Sequence, residues 1–450
     1  MTEPDDLLAI GDRVVGLARP GEQVEAIVVR GVDTEIKVYG GEVESLSSAQ
    51  SQGVGIRVIV DGRQGFSYAG TFDEQVLAEA IAEARDNAAF GTYDEYQALA
   101  EPDGVPTADI DVFREGVRTF PTSEKVELAL ELERAVRAAD PRISGIESAE
   151  YVDSISEGAI VSTTGIRNAG RETSAYVATY AMAEERGETQ TGFGFSVGRE
   201  PADLDVTKAA AEAADRATRL LGAAKPATER LTVVLDPWVT AQFLGVLGYT
   251  LSGESVLKGR SLFADRIGDE VAAACITLID DPTNPEAFTA TDVDGEGLAC
   301  RRNVLIEGGV LRMFVHNAYT ARRMGTTSTG SAVRGSYKMT PGVGTQAVTL
   351  QPGTRSQAEL LAAVGEGILI QDVAGLHSGV NPVSGDFSTG AEGLRFRGGE
   401  LADPVREFTI ASTLQRMLLD VVDVGNDLQW LPMSAAGVSL VIRDVTISGT

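Results

Sequence analysis

The stretch VGIRVIVDGRQGFSYAGTFDEQVLAEAIAEARDNAAF, residues 54–90, contains the pattern that decides the fold. Its first half is rich in Val and Ile and is interrupted by Asp61-Gly62, which predicts two strands joined by a turn. Its second half, residues 71–90, spaces apolar side chains as one face of a helix does. These side chains are Val76, Leu77, Ala80, Ile81 and Ala84. The stretch therefore predicts a β-meander that runs directly into a helix.

The same order of elements is predicted a second time further along the chain. Upstream of residue 54, VEAIVVR and TEIKVYG extend the first meander, with Gly31 and the Gly40-Gly41 pair predicted as breaks between strands. Downstream, a helix predicted over residues 122–140 precedes a longer run of strands over residues 145–198. Residues 203–223 then have helical spacing again. A meander followed by a helix is thus predicted twice, although no repeat of individual residues links the two.

A linker-like stretch, AKPATER at residues 224–230, separates these regions from a C-terminal part with a different sequence pattern. A short strand and a helix over residues 237–251, which begins with proline, are followed by many short strands and glycine turns. We expect an α+β protein, with two N-terminal meander-plus-helix regions and a β-rich, barrel- or sandwich-like C-terminal domain. The predicted domains are residues 1–110, 111–225 and 226–450.

The charge of the chain argues against some classes of partner. Its 450 residues contain 38 Lys and Arg but 66 Asp and Glu, which gives a net charge of −28. This charge repels phosphate backbones and anionic lipid, so we expect no nucleic-acid partner. No apolar run reaches the roughly 18 residues that a membrane span needs. The first residues, MTEPDDLLAIGDRVV, lack the basic and apolar regions of a signal peptide, and we expect a cytoplasmic protein.

Zinc ligands are scarce in this sequence. It has two histidines, His316 and His377, and two cysteines, Cys275 and Cys300, which are far apart in the chain. Zinc needs three or four ligands, and these usually come in closely spaced pairs. We therefore expect no zinc site. The cysteines suit free thiols, although one disulfide between them is compatible with the sequence.

Two acidic stretches are better explained as turns than as catalytic or metal sites. DVDGEG, residues 292–297, matches the first half of a calcium loop, but Asn303 stands where the bidentate acid belongs. In LIDDPTNP, the adjacent Asp280 and Asp281 follow a strand. Neighbouring side chains of an extended segment point to opposite faces, so these two make a poor catalytic dyad. Both stretches favour acidic turns.

Two further segments fit either a functional or a structural role. LSGESVLKGRSLF contains Lys258 and Ser261, which suit a Ser/Lys nucleophile pair but also a polar loop with a basic anchor. His316 ends the predicted strand VLRMFVH, with Tyr319 and Arg322 close behind it. These three residues suit ligand recognition, and His316 equally suits a hydrogen-bonded structural position.

The second histidine lies in GLHSGVNPVSGDFS, residues 375–388, where small polar side chains are crowded together. The polar residues of this stretch that we single out are His377, Ser378, Asn381, Ser384 and Asp386. Such a loop can offer hydrogen-bond donors to a peptide backbone, and its glycines equally suit a tight turn. The residues by themselves leave both interpretations open.

Several stretches of the C-terminal half occur together in an order that is typical of one protein family. They are GESVLKGRSLF, LIDDPTNP, DVDGEGLACRRNVLIEGGVLRMFVHNAYTARRMG, GVNPVSGDFSTGAEGLRFRGGE, PVREFTIASTLQRMLLDVVDVGNDL and VTISG. Through them the chain resembles the TldD/PmbA family, and specifically its TldE/PmbA branch. The N-terminal regions resemble those of the family more weakly. The resemblance implies a two-subunit cytosolic assembly that degrades peptides.

The resemblance also implies where the zinc of such an assembly is bound. The TldD-like subunit carries H-E-x-x-x-H on a helix and a cysteine near its C-terminus as the third protein ligand, and its glutamate can act as general base on a bound water. The aligned residues of this chain are Leu244-Gly245-Val246-Leu247-Gly248-Tyr249. Leu244 replaces the first histidine, Gly245 the glutamate and Tyr249 the second histidine. The C-terminal cysteine is also missing.

We therefore expect a non-catalytic subunit that binds no cofactor itself and that completes the substrate chamber of a zinc-bearing TldD-like partner. The resemblance predicts pairing with that subunit or with a second copy of the chain. We expect His377, Asn381 and Asp386 to shape the chamber wall or the interface. Two alternatives remain open: an independent hydrolase built on Lys258, Ser261 or the acidic loops, and a module that binds peptides without cleaving them.

Overall fold

A single antiparallel sheet contains both predicted meanders. The structure, a computed structural model, describes residues 5–450. Six strands form this sheet in the order β3-β2-β1-β4-β5-β6. They are β1 Gln23–Tyr39, β2 Glu42–Val60, β3 Arg63–Ala69, β4 Ile143–Ser162, β5 Arg167–Glu185 and β6 Glu188–Gly198. The first strands of the two meanders, β1 and β4, pair along the middle of the sheet.

Each meander is preceded by one helix and followed by another. The helices of this half are α1 Asp5–Val15, α2 Glu74–Phe90, α3 Gly116–Thr119, α4 Thr122–Ala139 and α5 Val206–Thr218, and residues Pro201–Asp203 form a short 3-10 turn. The order α1-β1-β2-β3-α2 therefore recurs as α4-β4-β5-β6-α5. The predicted duplication of meander and helix is confirmed at the level of elements.

Glycines in the last strand of each meander let the following helix approach closely. A Cβ at Gly65 of β3 would lie 1.9 Å from the carbonyl oxygen of Ala84 in α2. A Cβ at Gly194 of β6 would lie 2.0 Å from the carbonyl oxygen of Ala209 in α5. Both contacts are far shorter than van der Waals distance, so only glycine fits. In both halves, a glycine in the last strand of the meander thus allows the helix to pack closely on the sheet.

Gly31 does not end a strand, although the sequence pattern places a break there. It lies within β1, opposite Ser51 of β2 and Ser156 of β4. A Cβ at Gly31 would lie 3.1 Å from the carbonyl oxygen of Ile155, so the glycine permits close approach of the neighbouring strand. The first two predicted strands are therefore one 17-residue strand.

The C-terminal region contains a closed barrel of five strands. They are β7 Glu229–Leu235, β14 Glu366–Ala374, β15 Asp386–Arg397, β16 Glu400–Thr413 and β20 Leu440–Ser448. The strands follow the order β16-β15-β14-β7-β20, and the barrel closes because β16 also pairs with β20. Within the barrel, β7 and β14 are the one parallel pair. The prediction of an α+β protein with a β-rich C-terminal domain is confirmed, and the domain is built on a barrel.

Short elements surround this barrel. The helices are α6 Pro237–Thr250, α7 Gly253–Leu257, α8 Ala318–Met324, α9 Gln357–Val364, α10 Leu376–Gly379 and α11 Leu414–Leu419. The remaining strands are β8 Leu278–Asp280, β9 Asn303–Glu307, β10 Val310–Leu311, β11 Ala332–Val333, β12 Gly342–Val343, β13 Val348–Leu350, β17 Val421–Val424, β18 Gln429–Trp430 and β19 Ala436–Gly437. The largest apolar core joins the inner face of α6 to the barrel strands. Within residues 5–450, no helix is both long and apolar enough to cross a membrane.

Candidate functional site

Helix α6 has one buried face and one open face. Asp236 caps its start by accepting a hydrogen bond from the amide of Val239 at 3.1 Å, and Pro237 occupies its first position. On the inner face Leu244 is only 1% exposed, whereas Tyr249 on the outer face is 51% exposed. A Cβ at Gly245 would meet no atom within 4 Å. The outer face is therefore free of side chains around Gly245.

The positions aligned with the family's zinc ligands do not form a metal site. Leu244 is part of the apolar core together with Phe243 and Leu247, so a metal ligand at this position would be buried in hydrocarbon. Gly245 and Tyr249 supply no carboxylate or imidazole. Across the part of the chain that the structure describes, no group of three or more His, Cys, Asp and Glu is arranged to hold a metal ion. The residues at these three positions therefore do not fit zinc.

His316 is a structural residue of the core beneath α7. Its side chain is 5% exposed, and its Nδ1 lies 3.2 Å from Thr320 Oγ1. Its backbone amide donates to Thr329 Oγ1 at 2.7 Å. Burial lowers the pKa of His316 to about 4, so the imidazole is neutral near pH 7. A Cβ at Gly253 would lie 2.3 Å from His316 Nδ1, which shows how tightly α7 covers the ring.

Tyr319 and Arg322 hold the barrel domain against the N-terminal half. The Tyr319 hydroxyl donates to Asp94 Oδ2 at 2.8 Å. The Arg322 guanidinium donates to the carbonyl oxygens of Tyr96 and Ala98. These contacts join α8 to the segment that follows α2. His316, Tyr319 and Arg322 therefore do not converge on a common ligand site.

The acidic turn at residues 292–297 directs its carboxylates inward. Asp294 accepts hydrogen bonds from the amides of Glu296 and Leu298 through Oδ1, and from the amide of Ala332 through Oδ2. Burial raises the pKa of Asp294 to about 7. These carboxylate oxygens already have donors from the protein, which supports the acidic-turn interpretation over a calcium loop.

Glu296 belongs to a buried ionic network that crosses between the two halves of the molecule. Arg57 of β2 lies 2.7 Å from Glu25 of β1 and 3.5 Å from Glu296. Arg334 reaches the same Glu25 carboxylate at 2.6 Å. All four side chains are less than 5% exposed. Burial opposes ionisation of Glu25, but the two guanidinium groups outweigh it and hold the pKa of that carboxyl below its usual value.

The segment after Arg334 lies across the first meander. A Cβ at Gly53 of β2 would lie 2.2 Å from the ring of Tyr337, and one at Gly55 would lie 2.0 Å from the Tyr337 carbonyl oxygen. Tyr337 also packs edge-on against Tyr68, with ring centroids 6.1 Å apart. Neither this network nor its covering segment was predicted from the sequence. The lone charge of Arg57 within the apolar run VGIRVIV was the available signal.

The polar loop of residues 375–388 forms an exposed turn at one end of the barrel. Asn381 Oδ1 accepts from the amides of Val383 and Ser384 at 2.9 and 3.2 Å. The Ser384 hydroxyl donates to Asp386 Oδ2 at 2.7 Å. His377 and Ser378 lie on the exposed short helix α10 just before this turn. The structure thus brings Asn381, Ser384 and Asp386 together as a turn.

The polar residues around α7 are bound to one another and to the backbone. The Ser261 hydroxyl donates to the carbonyl oxygen of Thr250 at 2.6 Å and is buried. Lys258 Nζ lies 2.5 Å from Glu254 Oε1. A nucleophile needs an adjacent base rather than a backbone acceptor, so these contacts favour the polar-loop interpretation.

Asp280 and Asp281 have different surroundings. Asp280 is fully buried, its Oδ1 accepts from the amides of Gln346 and Ala347 at 2.8 Å each, and burial raises its pKa to about 6. Asp281 Oδ1 accepts from both the amide and the hydroxyl of Thr283, which forms a turn.

Both cysteines are free thiols, Cys275 exposed and Cys300 buried.

A cleft of about 530 Å³ opens between the N-terminal sheet and the start of α6. Both tryptophans of the chain, Trp238 and Trp430, line it. The Arg216 guanidinium of α5 stacks on Phe193 at 4.1 Å and donates to the Phe193 carbonyl oxygen at 2.9 Å. This size and mixture of aromatic and charged groups suit a small ligand or part of a peptide. The cleft was not predicted from the sequence, because its walls come from distant segments of the chain.

The three regions of this fold match the three domains of a class of metallopeptidases. Models of the PmbA/TldA metallopeptidases match three parts of the chain: domain 1 matches residues 24–88, the central domain residues 115–221 and the C-terminal domain residues 228–449. The chain belongs to the PmbA/TldD metallopeptidase family. The resemblance seen in the sequence is therefore confirmed.

Similar proteins cover nearly the whole chain. The metalloprotease PmbA of Escherichia coli O157:H7 is 26% identical over 94% of this chain and 92% of its own length. TldE from Thermococcus kodakarensis has the same fold, with a TM-score of 0.89 at 24% identity over 99% of both chains. A Thermotoga maritima protein described as a modulator of a DNA gyrase also has a TM-score of 0.89, at 24% identity over 98% of this chain and 99% of that one.

Proposed function

We propose that this chain is a non-catalytic subunit of a cytosolic, heteromeric zinc metallopeptidase that cleaves small or unfolded peptides. The observation that carries the proposal is α6, where the family resemblance aligns Leu244, Gly245 and Tyr249 with the zinc ligands and the base, and where these residues supply neither. The match to metalloprotease relatives over almost the full chain supports the peptidase context. Zinc would be held by a TldD-like partner subunit.

In this proposal the open face of α6 forms part of the wall of the substrate chamber. Tyr249 is half exposed, and the space beside Gly245 would accept a side chain of the partner or of a peptide. The cleft at the start of the same helix would receive aromatic or apolar peptide side chains against Trp238. The exposed turn containing Asn381, Ser384 and Asp386, with His377 and Ser378 beside it, would contribute to the rim or to the subunit interface.

The alternatives differ in the contacts that support them. An independent hydrolase has little support, because the Ser261 hydroxyl donates to the carbonyl oxygen of Thr250 and Lys258 forms an ion pair with Glu254. The aromatic cleft favours a peptide-binding module, because a cleft can bind a peptide without any catalytic group. The non-catalytic subunit and the peptide-binding module differ in one measurable respect: only the subunit promotes peptide cleavage by a zinc-bearing partner.

The test compares this chain alone, its TldD-like partner alone and the complex of the two. Metal content and cleavage of an unstructured peptide mixture are measured by mass spectrometry. We expect zinc only in samples that contain the partner, and cleavage that depends on the complex. Cleavage by this chain alone that resists chelators would replace the proposal with an independent hydrolase. Saturable peptide binding without any effect on cleavage would identify a binding module.

The substitution Tyr249→Ala tests the role of α6 within the complex. Because Tyr249 is exposed on the open face, we expect the complex to assemble normally and to cleave peptides several-fold more slowly. The matched control is Tyr93→Ala, which removes another exposed tyrosine, one that is 61% exposed and far along the chain from α6. Equal cleavage rates for the two variants would contradict the chamber-wall assignment of α6.

A further inference from the structure

The cleft at the start of α6 contains an arginine whose charge has no carboxylate bonded to it. Arg216 of α5 lines this cleft, and in the part of the chain that the structure describes it forms no ion pair. Its hydrogen bond there goes to one carbonyl oxygen, that of Phe193. Arg322, in contrast, donates to three backbone carbonyl oxygens. Arg216 therefore keeps N–H groups that a ligand can use.

Aromatic contacts hold the Arg216 guanidinium in place without using these N–H groups. The guanidinium carbon lies 4.1 Å from the centre of the Phe193 ring and 5.8 Å from that of Trp238. Such contacts involve the face of the guanidinium, whereas its N–H groups point outward in its plane. The edge of a guanidinium can donate two parallel hydrogen bonds to one carboxylate. Arg216 is thus prepared for a carboxylate that the protein itself does not supply.

The carboxylates that line the same cleft already have partners. They are Glu212, Asp215, Asp236 and Asp427. The first two lie 3.9 and 3.1 Å from Lys208 and Arg219. Asp236 caps α6, and Asp427 accepts hydrogen bonds from the amide and the hydroxyl of Ser439. These acids therefore do not take the place of a ligand at Arg216.

Two further N–H groups in the wall of the cleft lack an acceptor. Arg219 Nε and Trp430 Nε1 are buried, and no atom of residues 5–450 accepts a hydrogen bond from either. A buried donor without an acceptor costs free energy. The wall is therefore short of acceptors, and a ligand oxygen would offset part of this cost once these side chains turn toward it.

One side of the cleft is apolar and continues onto the open face of α6. Trp238 packs against Phe195, with ring centroids 5.7 Å apart, and Leu431 lines the cleft beside them. Residues three or four apart share one face of a helix. On α6 these are Trp238, Gln242, Gly245 and Tyr249. A peptide that enters the cleft at Trp238 can therefore extend along this face.

We propose that this cleft binds the C-terminal residue of a peptide, whose free carboxylate pairs with Arg216 while its apolar side chain packs on Trp238. The cleft of about 530 Å³ has room for the preceding residue as well. The inference rests on the proposed function, in which the open face of α6 forms part of the chamber wall. It adds that this chain recognises the end of a peptide, so short fragments are favoured over internal segments of longer chains.

The test titrates this chain alone with the N-acetylated tripeptide Ala-Ala-Leu, as the free acid and as the C-terminal amide. Both tryptophans of the chain line the cleft, so their fluorescence reports directly on its occupation. We expect a saturable change with the acid and binding at least about tenfold weaker with the amide, which cannot form a charged pair with Arg216. N-acetyl-leucine carries the same carboxylate without the preceding residues, and it should bind more weakly than the tripeptide acid.

Two substitutions of Arg216 and one control assign this preference to the guanidinium. Arg216→Gln should abolish the preference for the acid and leave binding of the amide nearly unchanged. Arg216→Lys keeps the charge but loses the two parallel N–H groups, so it should retain part of the preference. The matched control is Lys225→Gln, which removes a positive charge from an exposed position outside the cleft and should keep the full preference. Far-UV circular dichroism and thermal unfolding establish that the variants fold.

Each outcome decides the inference. Equal binding of acid and amide by the wild type overturns it, and this comparison needs no variant to fold. It is also overturned if Arg216→Gln weakens both ligands equally, which would indicate a structural role, or if calorimetry and fluorescence detect no saturable binding. N-acetyl-leucine that binds as tightly as the tripeptide would replace the peptide with a small carboxylate.

Failure of the proposed function would look different from failure of this inference. In that case this chain alone would still prefer the acid over the amide, but adding it to a TldD-like partner would not promote peptide cleavage.

Discussion

At the scale of single residues, the buried groups of this protein are mainly fixed by the backbone around them. Asp280 accepts two amide hydrogen bonds through Oδ1, but its Oδ2 is buried without a partner in the described part of the chain. His316 is likewise enclosed, beneath Gly253. Such groups favour their neutral forms, because burial disfavours charge. Their chemistry is therefore that of the protein interior, and it bears on stability more than on catalysis.

The carboxyl of Asp280 should make stability depend on pH. Burial raises its folded-state pKa to about 6, above an unfolded value near 3.9. The folded state thus binds more protons between these values, so its stabilising contribution is present below pH 4 and is lost as the pH rises through 6. Relative to the wild type, Asp280→Asn should gain up to about 3 kcal/mol between pH 4 and pH 7. Urea unfolding at both pH values measures this difference.

The change with pH is the decisive quantity in that experiment. The asparagine amide can itself lack a partner, but that cost is the same at both pH values and cancels in the difference. A constant offset between Asp280→Asn and the wild type would mean that Asp280 titrates as an ordinary surface acid.

At the scale of elements, the close approach of α5 to β6 depends on glycine. A Cβ at Gly194 would lie 2.0 Å from the Ala209 carbonyl oxygen, so Gly194→Ala must push α5 away from the sheet. We expect a loss of about 1–3 kcal/mol or more in the free energy of unfolding. The control is Gly170→Ala in β5, where a Cβ would meet no atom within 4 Å. Chemical denaturation of both variants should leave the control close to wild type.

Local elements could be predicted from the sequence because their signals are local. The helix over residues 71–90 follows from its apolar spacing, and the turn at Asp61-Gly62 follows from its residue types. Gly31 was predicted to separate two strands but lies within β1, because a glycine that admits a neighbouring strand looks the same in sequence as one that ends a strand. The pairing of β1 with β4 and the closure of β16 on β20 involve residues far apart in the chain, and no local pattern encodes them.

The candidate site was predicted less well than the elements. Leu244 and Gly245 were identified because the family resemblance assigns them positions, and the structure adds that one is buried and the other faces open space. The cleft between Trp238 and Trp430 could not be predicted, because its walls are formed by five separate stretches of the chain, from residue 195 to residue 431. The rarity of tryptophan in the chain was the available hint.

At the scale of the whole molecule, the buried network of Glu25, Arg57, Glu296 and Arg334 joins the N-terminal sheet to the barrel domain. Removing one partner of a buried ion pair leaves the other charged and without compensation. Arg334→Met should therefore lower the free energy of unfolding by about 3–5 kcal/mol. It should also expose the segment around Tyr337 to limited proteolysis, because that segment follows Arg334 across β2.

The control for this variant is an exposed ion pair. Arg397 lies 2.8 Å from Asp403, with side chains 57% and 68% exposed. Such pairs contribute about 0–1 kcal/mol to stability. Arg397→Met should therefore change the free energy of unfolding and the rate of limited proteolysis very little. Equal losses for the two arginine variants would show that the buried network has no special role in joining the two halves.

The closure of the barrel has a consequence for the order in which the protein is made. Strand β20, Leu440–Ser448, pairs with β7, β16 and β17, and β7 precedes it by about two hundred residues. During translation, the six-stranded sheet has all its strands once residue 198 has left the ribosome. The barrel, in contrast, keeps an unpaired gap between β7 and β16 until the last strand is synthesised. Nascent chains stalled before β20 would therefore have every strand of the first sheet, together with an open barrel in which the edges of β7 and β16 that face β20 lack a partner.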